Sequence, residues 1–320
     1  MKRKIWIIIA VSMILVGTLL FFGAFSALDF DFKKLSNEKI EINRQNIEEN
    51  FDSIVVNDDV SDIRIEKSSN GECVIDTQVT DNYKLSWSVK NGTLDILHTD
   101  SRKWYQRIGI FNFSNSMSLT LYLPEDEYDS LTIDSNTSDI NISNKLSFNS
   151  VDIKSSTGDT DMSASVKGEF RCELDTGRIN LNKAEIGSAE LITSTGDIRI
   201  KSTDIEGSCR ITTDTGDLIT DAFNVGKLYA ESTTGSKELY YTIAEKLMVL
   251  RSSTGDVFFD ESDSESIEIE TSTGDVEGVL LTSKVFITET STGDIDVPKS
   301  AKGALCEIKT DTGDISVKIK

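Results

Sequence analysis

The feature that most constrains this chain is a spacing. Nine glycines, Gly158, Gly177, Gly196, Gly216, Gly235, Gly255, Gly274, Gly293 and Gly313, follow one another at intervals of 19, 19, 20, 19, 20, 19, 19 and 20 residues, and threonine precedes every one. The fullest form of the phrase is Ser-Thr-Gly-Asp, as at Ser156 to Asp159 and Ser194 to Asp197. A period held this tightly marks one structural unit stacked on itself. The residues around each glycine say which unit. Seven and five positions before it stand mostly apolar residues, such as Phe170 and Cys172, Leu228 and Ala230, Ile267 and Ile269. Two and four positions after it the pattern repeats, with Ile179 and Leu181, Ile198 and Ile200, Ile315 and Val317. Period-two alternation on both sides of a corner puts these columns on one inward face. The reading is an all-β fold, a single-stranded parallel β-solenoid (β-helix) of about ten 19–20-residue coils. Leucine-rich repeats would need a Leu-x-x-Leu-x-Leu frame, which is absent.

Each corner residue carries an expectation. Threonine hydroxyls stacked at about 4.8 Å are expected to form a ladder. Glycine is expected where the corner needs positive φ or a close approach. Aspartate follows in seven copies, the exceptions being Arg178 and Ser236. Stacked carboxylates repel, so they must either accept turn N–H groups or bind a cation. The candidate Ca²⁺ column is Asp256, Asp275, Asp294 and Asp314. Cys172, Cys209 and Cys306 fall in inward columns without CxxC spacing, and read as small buried hydrophobes. The copy around Gly235, with Ser236 and Lys237, deviates most and predicts a bulge or a local outward turn.

Before the repeats, Lys2-Arg3-Lys4 precedes an apolar stretch from Ile5 to Phe25. As a helix this spans about 32 Å, the thickness of a hydrocarbon core. The expectation is therefore one N-terminal transmembrane helix, with a cleavable signal peptide as the alternative. The flanking positive charge predicts that the solenoid lies outside the cell membrane, single-pass. The expected divisions are a cytoplasmic basic tip and signal-anchor over 1–28, a juxtamembrane linker over 29–50, and an extracytoplasmic solenoid over 51–320. Within the last, 51–130 would be an irregular capping part and 131–320 the regular repeats. Val60 to Ile65 resembles a degenerate early copy of the phrase, and the chain stops on a strand whose Lys318 and Lys320 could blunt an open edge.

Charge and composition exclude several functions. The net charge of −21 makes nucleic acid a poor partner. A lone histidine, His98, argues against His-based triads and multi-His metal centres. One local anomaly is basic and aromatic: Arg102, Lys103, Trp104, Tyr105, Arg107, Phe111 and Phe113 between two strands. It reads either as a loop covering the solenoid end or as a contact for a partner or anionic headgroups.

The iterated Ser-Thr-Gly-Asp-Ile-x-Ile phrase, the strand ending in Leu123-Pro124 and the single apolar N-terminal segment together resemble the bacterial putative adhesin β-repeat family over Phe51 to Lys320. That resemblance implies a β-repeat fold, no catalytic residues and no cofactor. It also implies a place in the cell envelope, in a Gram-positive bacterium where members accompany envelope-stress systems. The expected function is a non-catalytic, membrane-tethered surface protein with a protein or cell-wall polymer partner. An accessory role in envelope-stress sensing and a carbohydrate-active β-helix enzyme are the alternatives.

Overall fold

The computed structural model describes residues 2–27, 41–79, 83–101 and 117–320. Helix α1 spans Lys2–Ala27. Seven strands follow: β1 Glu41–Ile47, β2 Ser53–Asp58, β3 Ser61–Lys67, β4 Cys73–Val79, β5 Tyr83–Lys90, β6 Thr93–Asp100 and β7 Met117–Leu123. The repeat region begins with β8 Glu127–Thr137, β9 Ile140–Ile142, β10 Ser147–Thr157, β11 Thr160–Met162, β12 Ser165–Thr176, β13 Ile179–Asn182 and β14 Glu185–Thr195. It continues with β15 Ile198–Thr215, β16 Leu218–Thr234, β17 Lys237–Thr254, β18 Val257–Ser264, β19 Ser266–Thr273 and β20 Val276–Leu280. The last four strands are β21 Lys284–Thr292, β22 Ile295–Asp296, β23 Ala304–Thr312 and β24 Ile315–Ile319.

Strands of successive coils pair in parallel, as the period requires. Phe170 faces Ala189, Ala189 faces Cys209 and Cys209 faces Leu228. The coil has three walls. The first ends at Thr-Gly. The second ends six residues later, where Lys183, Ser202, Ala222, Tyr241 and Glu261 all take positive φ near 50° (59°, 48°, 52°, 49° and 47°). The third ends in a register shift, as between Ile186 and Ala189 or Ile205 and Ser208. The third wall adds inward positions that alternation around the glycine does not reveal, among them Phe223, Thr203, Thr242, Ile186 and Ile205, all buried. At the second corner the hydroxyls turn back on the chain: Thr203 Oγ1 donates to the Lys201 carbonyl at 2.9 Å and Thr242 Oγ1 to that of Tyr240 at 3.2 Å.

Glycine at the first corner has two causes. Gly216 has φ 153°, and a Cβ there would lie 2.0 Å from the Gly196 carbonyl oxygen. The threonine ladder does not form: Thr157, Thr176 and Thr195 are exposed. Their backbones matter instead, since Gly158 and Gly177 donate to the carbonyls of Thr176 and Thr195 at 3.0 and 2.9 Å. The buried hydroxyl column sits two residues earlier, where Thr193, Thr271 and Thr310 donate to the carbonyls of Gly177, Gly255 and Gly274 at 3.2, 3.3 and 3.1 Å. No bulge or outward turn marks Lys237. It pairs in register with Leu218 and Val257, and its side chain is buried in the column its neighbours fill with Leu and Val. The cysteines are free and buried, as expected.

Stack order differs from chain order at both ends. At the N-terminal end the β2–β3 coil lies between β6–β7 and β8–β9. Residues 51–67 therefore belong to the stack. Antiparallel β5 covers β6, β4 covers β7, and β1 pairs with β4, so 41–47 of the expected linker is a strand. At the C-terminal end β23 lies between β19 and β21, and β24 between β20 and β22. The strand carrying Lys318 is thus interior to the stack, and the edge to be blunted belongs to β21–β22.

Along α1, Met13, Ile14, Leu15, Val16, Leu19, Leu20, Phe21 and Phe22 are all exposed. Among the described residues, whose side chains in α1 are those of 12–23 and Ser26, no helix is long and apolar enough to cross a membrane. The helix is present, but the expected transmembrane span is not established by the fold.

Candidate functional site

The corner aspartates form a staircase. Asp159 N–H donates to Asp139 Oδ1 at 2.9 Å, Arg178 N–H to Asp159 Oδ1 at 2.8 Å, and Asp217 N–H to Asp197 Oδ1 at 3.1 Å. Each carboxylate caps the backbone of the next coil, which offsets the repulsion along the column. Arg178 also turns its guanidinium onto Asp159, with Nε at 3.0 Å from Oδ2. Burial works against the charged form of Asp159, yet the Arg178 hydrogen bonds hold its carboxyl below the usual range. Of the four expected Ca²⁺ candidates, Asp256 accepts from Asp275, Asp275 from Asp314, and Asp314 from Asp294, at 2.9, 2.7 and 2.8 Å. Each of these three gives one oxygen to a backbone N–H, and among the described residues no group of three ligating side chains could hold a metal ion. The staircase also repeats the stack order, 275 to 314 to 294.

An open groove of about 800 Å³ runs along the third corner. It exists because the chain bends at the same place in consecutive coils. Gly187 permits the bend, since a Cβ there would meet the Lys167 carbonyl oxygen at 2.4 Å. The groove's polar rim holds four carboxylates, Glu185, Asp204, Glu206 and Glu245, against one cation, Lys167, with Asn224, Ser147 and Ser165. Asn224 Nδ2 donates to Asp204 Oδ1 at 2.7 Å, and Lys167 pairs with Glu127 at 2.8 Å, outside the groove lining. A second, smaller depression of about 370 Å³ lies on the second wall, where Tyr240 and Phe258 pack with ring centroids 5.6 Å apart beside Glu238, Asp256, Asp275 and Glu277.

One constellation was not foreseen. Ser61 Oγ and Asp58 Oδ2 both lie 2.9 Å from His98 Nδ1, and all three residues are buried. The residue types are those of a triad, but a triad needs the carboxylate and the hydroxyl on opposite ring nitrogens. Both here share Nδ1, and solvent cannot reach them. Asp58 Oδ1 accepts from the N–H groups of Val60 and Ser61 at 2.9 and 2.8 Å, so the cluster pins the corner between β2 and β3. Burial pushes the Cys172 and Cys209 thiols up to about 12, leaving them protonated and unsuited to nucleophilic work. Arg102, Lys103, Trp104, Tyr105, Arg107, Phe111 and Phe113 lie outside the described residues.

A family model described as Toastrack DUF4097 matches residues 51–249 and 210–320. The chain belongs to this family. The membership agrees with the resemblance carried by the Ser-Thr-Gly-Asp phrase. No curated protein matches the chain. Among solved structures, a putative adhesin from Bacteroides fragilis NCTC 9343 is 11% identical, with 89% of this chain and 98% of that chain covered and a TM-score of 0.44. A putative adhesin from Parabacteroides distasonis ATCC 8503 is 13% identical, covers 88% of this chain and 98% of its own, and has a TM-score of 0.47. A putative lipid binding protein from the same strain is 15% identical over 76% and 95%, with a TM-score of 0.49. At these identities no function is transferred from them.

Proposed function

We propose that this DUF4097 protein is a non-catalytic, membrane-tethered surface rod that presents its lateral groove to an extended partner in the cell envelope. The observation that carries the reading is the pairing of an apolar helix, exposed on every described side, with a regular stack whose surface features recur coil after coil. A lone apolar helix in water leaves unpaid the transfer energy that a bilayer supplies. Lys2-Arg3-Lys4 then keeps the N-terminus on the cytoplasmic side. A groove repeated over successive coils suits a ligand that is itself long and repetitive, a wall polymer or an extended peptide. Its acidic rim favours cationic or hydroxyl-rich chemistry. The rim holds neither histidine nor cysteine, and the Ser61–His98–Asp58 cluster is sealed away from it, which supports binding over catalysis.

Protease shaving of wall-stripped cells tests the topology: an epitope placed after Lys320 should be digested from outside while α1 stays with alkali-washed membranes. Full protection of the epitope, or release of the intact chain by alkali, refutes the tether. Charge reversal at Glu185, Glu206 and Glu245 should reduce retention of the protein on purified envelopes by about tenfold if the groove is the contact. Unchanged retention refutes the groove.

A further inference from the structure

The two ends of the stack are unlike. At one end, antiparallel β4 and β5 cover the outermost coil. At the other, β21 pairs only with β23 and β22 only with β24 among the described residues. The solenoid interior is laid open there. Cys306, Ile315 and Val317 of the adjoining coil are buried, whereas the equivalent Phe286, Ile295 and Val297 are half-buried or exposed, Ile295 at 45%. Ile287, at 51%, lies on the same edge strand.

The longer strand of this edge, β21, lacks two of the usual blunting devices, proline and a bulge. β21 contains no proline, and its pairing with β23 runs without a register shift from Lys284 to Thr292. Its one lysine, Lys284, is at the start of the strand, buried and turned inward onto Asp263 and the Ser264 carbonyl, which leaves Glu289 as the one charged side chain from Val285 to Thr292. A nine-residue edge without proline or bulge beside an open apolar core is a template for a further strand.

We propose that this end is a homodimer interface, in which two copies join end to end about a two-fold axis by antiparallel pairing of β21 with β21. The occupant follows from shape. A partner must present open strand edges on matching walls around a matching apolar centre. The opposite end does not match, because antiparallel β4 and β5 cover the walls of its outermost coil. The same end of a second copy can, and a two-fold axis makes that contact closed. The sequence of β21 is compatible with itself. A register centred on Thr288 sets Phe286 against Thr290 and Ile287 against Glu289 of the second copy, with no like charges opposed. The two Thr288 residues face each other on the axis.

That register gives a discriminating test in the full chain, held in detergent. Opposed residues of an antiparallel pair lie about 4.5–5.5 Å apart at Cα, within disulfide reach, and the four native cysteines are buried. Thr288→Cys should therefore give a disulfide-linked dimer on mild oxidation, while Lys154→Cys on the exposed flank should not. Ile287→Glu opposes two pairs of like charges and should cut the crosslinking by about tenfold. Ile287→Lys meets Glu289 instead and should preserve it. The unmodified chain should sediment as a dimer. A monomeric mass, equal crosslinking at residues 288 and 154, equal effects of the two Ile287 substitutions, or an open ladder of oligomers would each overturn the proposal.

Discussion

Lys237 offers the sharpest test of how this stack holds together. On either side of it the column is apolar, with Ile179, Ile198 and Leu218 before it and Val257 and Val276 after it, all buried. The lysine is 2% exposed. Burial lowers its pKa from 10.5 to about 8, against a partial counter-pull from Asp217 and Glu231. Its one polar contact is a donation from Nζ to Ser232 Oγ at 2.5 Å. A drop of that size corresponds to a cost of about 3 kcal/mol when the amine must be buried charged. Because the folded pKa is the lower one, the unfolded chain binds more protons between pH 8 and 10.5. Stability therefore rises with pH through that window. The cost is present in full below pH 8 and gone above 10.5. Lys237→Met keeps the length of the side chain and removes the charge. It forfeits one hydrogen bond of about 1 kcal/mol, so the net gain near neutral pH is about 2 kcal/mol. Chemical denaturation of the two proteins, side by side at pH 7 and pH 10.5, reads it directly. The variant should be the more stable at pH 7, and the difference should shrink or reverse at pH 10.5. A variant less stable at pH 7, or a gap that does not change with pH, refutes the argument.

Gly216→Ala must move either the new Cβ or the Gly196 carbonyl, 2.0 Å apart, as well as hold alanine at φ 153°; a loss of about 3 kcal/mol or more in the denaturation midpoint is expected. Removing one staircase carboxylate by Asp275→Ala strips the Asp314 N–H of its acceptor and should cost about 1 kcal/mol. Chelation of the unmodified protein by EDTA should leave its melting temperature unchanged, since backbone donors already occupy the column. Lys284→Met leaves Asp263 buried without its partner and should cost about 3–5 kcal/mol. Adding Asp263→Leu should restore much of that loss, which a double-mutant cycle by thermal melting would show.

The parts of the fold legible in the sequence were those written in apolar residues at period two. Phe170, Cys172, Ile179 and Leu181 announce two walls and a corner because a buried strand face accepts little else. The third wall was missed because its inward face is mixed, Thr203 and Thr242 standing where Phe223 stands one coil on. Buried hydroxyls are tolerated there because they bond back to carbonyls at the second corner. That corner was itself hidden, since Lys183, Ser202, Ala222, Tyr241 and Glu261 reach positive φ without glycine. The threonine before each glycine misled for the opposite reason. Its regularity suggested a hydroxyl ladder, but the hydroxyls that meet the corner carbonyls stand two residues earlier, as in Thr193, Thr271, Thr290 and Thr310, in a column that Leu174 and several serines make less uniform. At the candidate site, the aspartate row was legible and the groove was not, because a groove arises from a bend shared by coils and not from any residue type.

Coil order is the deeper case. A repeat makes its units interchangeable, so inward columns look the same whether the last coil is added to the end or slipped between its predecessors. In the observed order one long side chain spans a whole coil. Lys284, in the outermost coil, reaches Asp263 and Ser264 beyond the interposed coil at the level of Ala304, with which it is paired in register. The small side chain at 304 leaves room for that reach. A buried pair contributes little net stability relative to apolar packing, but leaving either partner alone is costly. Its effect is thus to tie the outermost coil to the coil beyond the strand between them. The insertion of β23 leaves β21 outermost, so coil order determines which strand is presented at the open end.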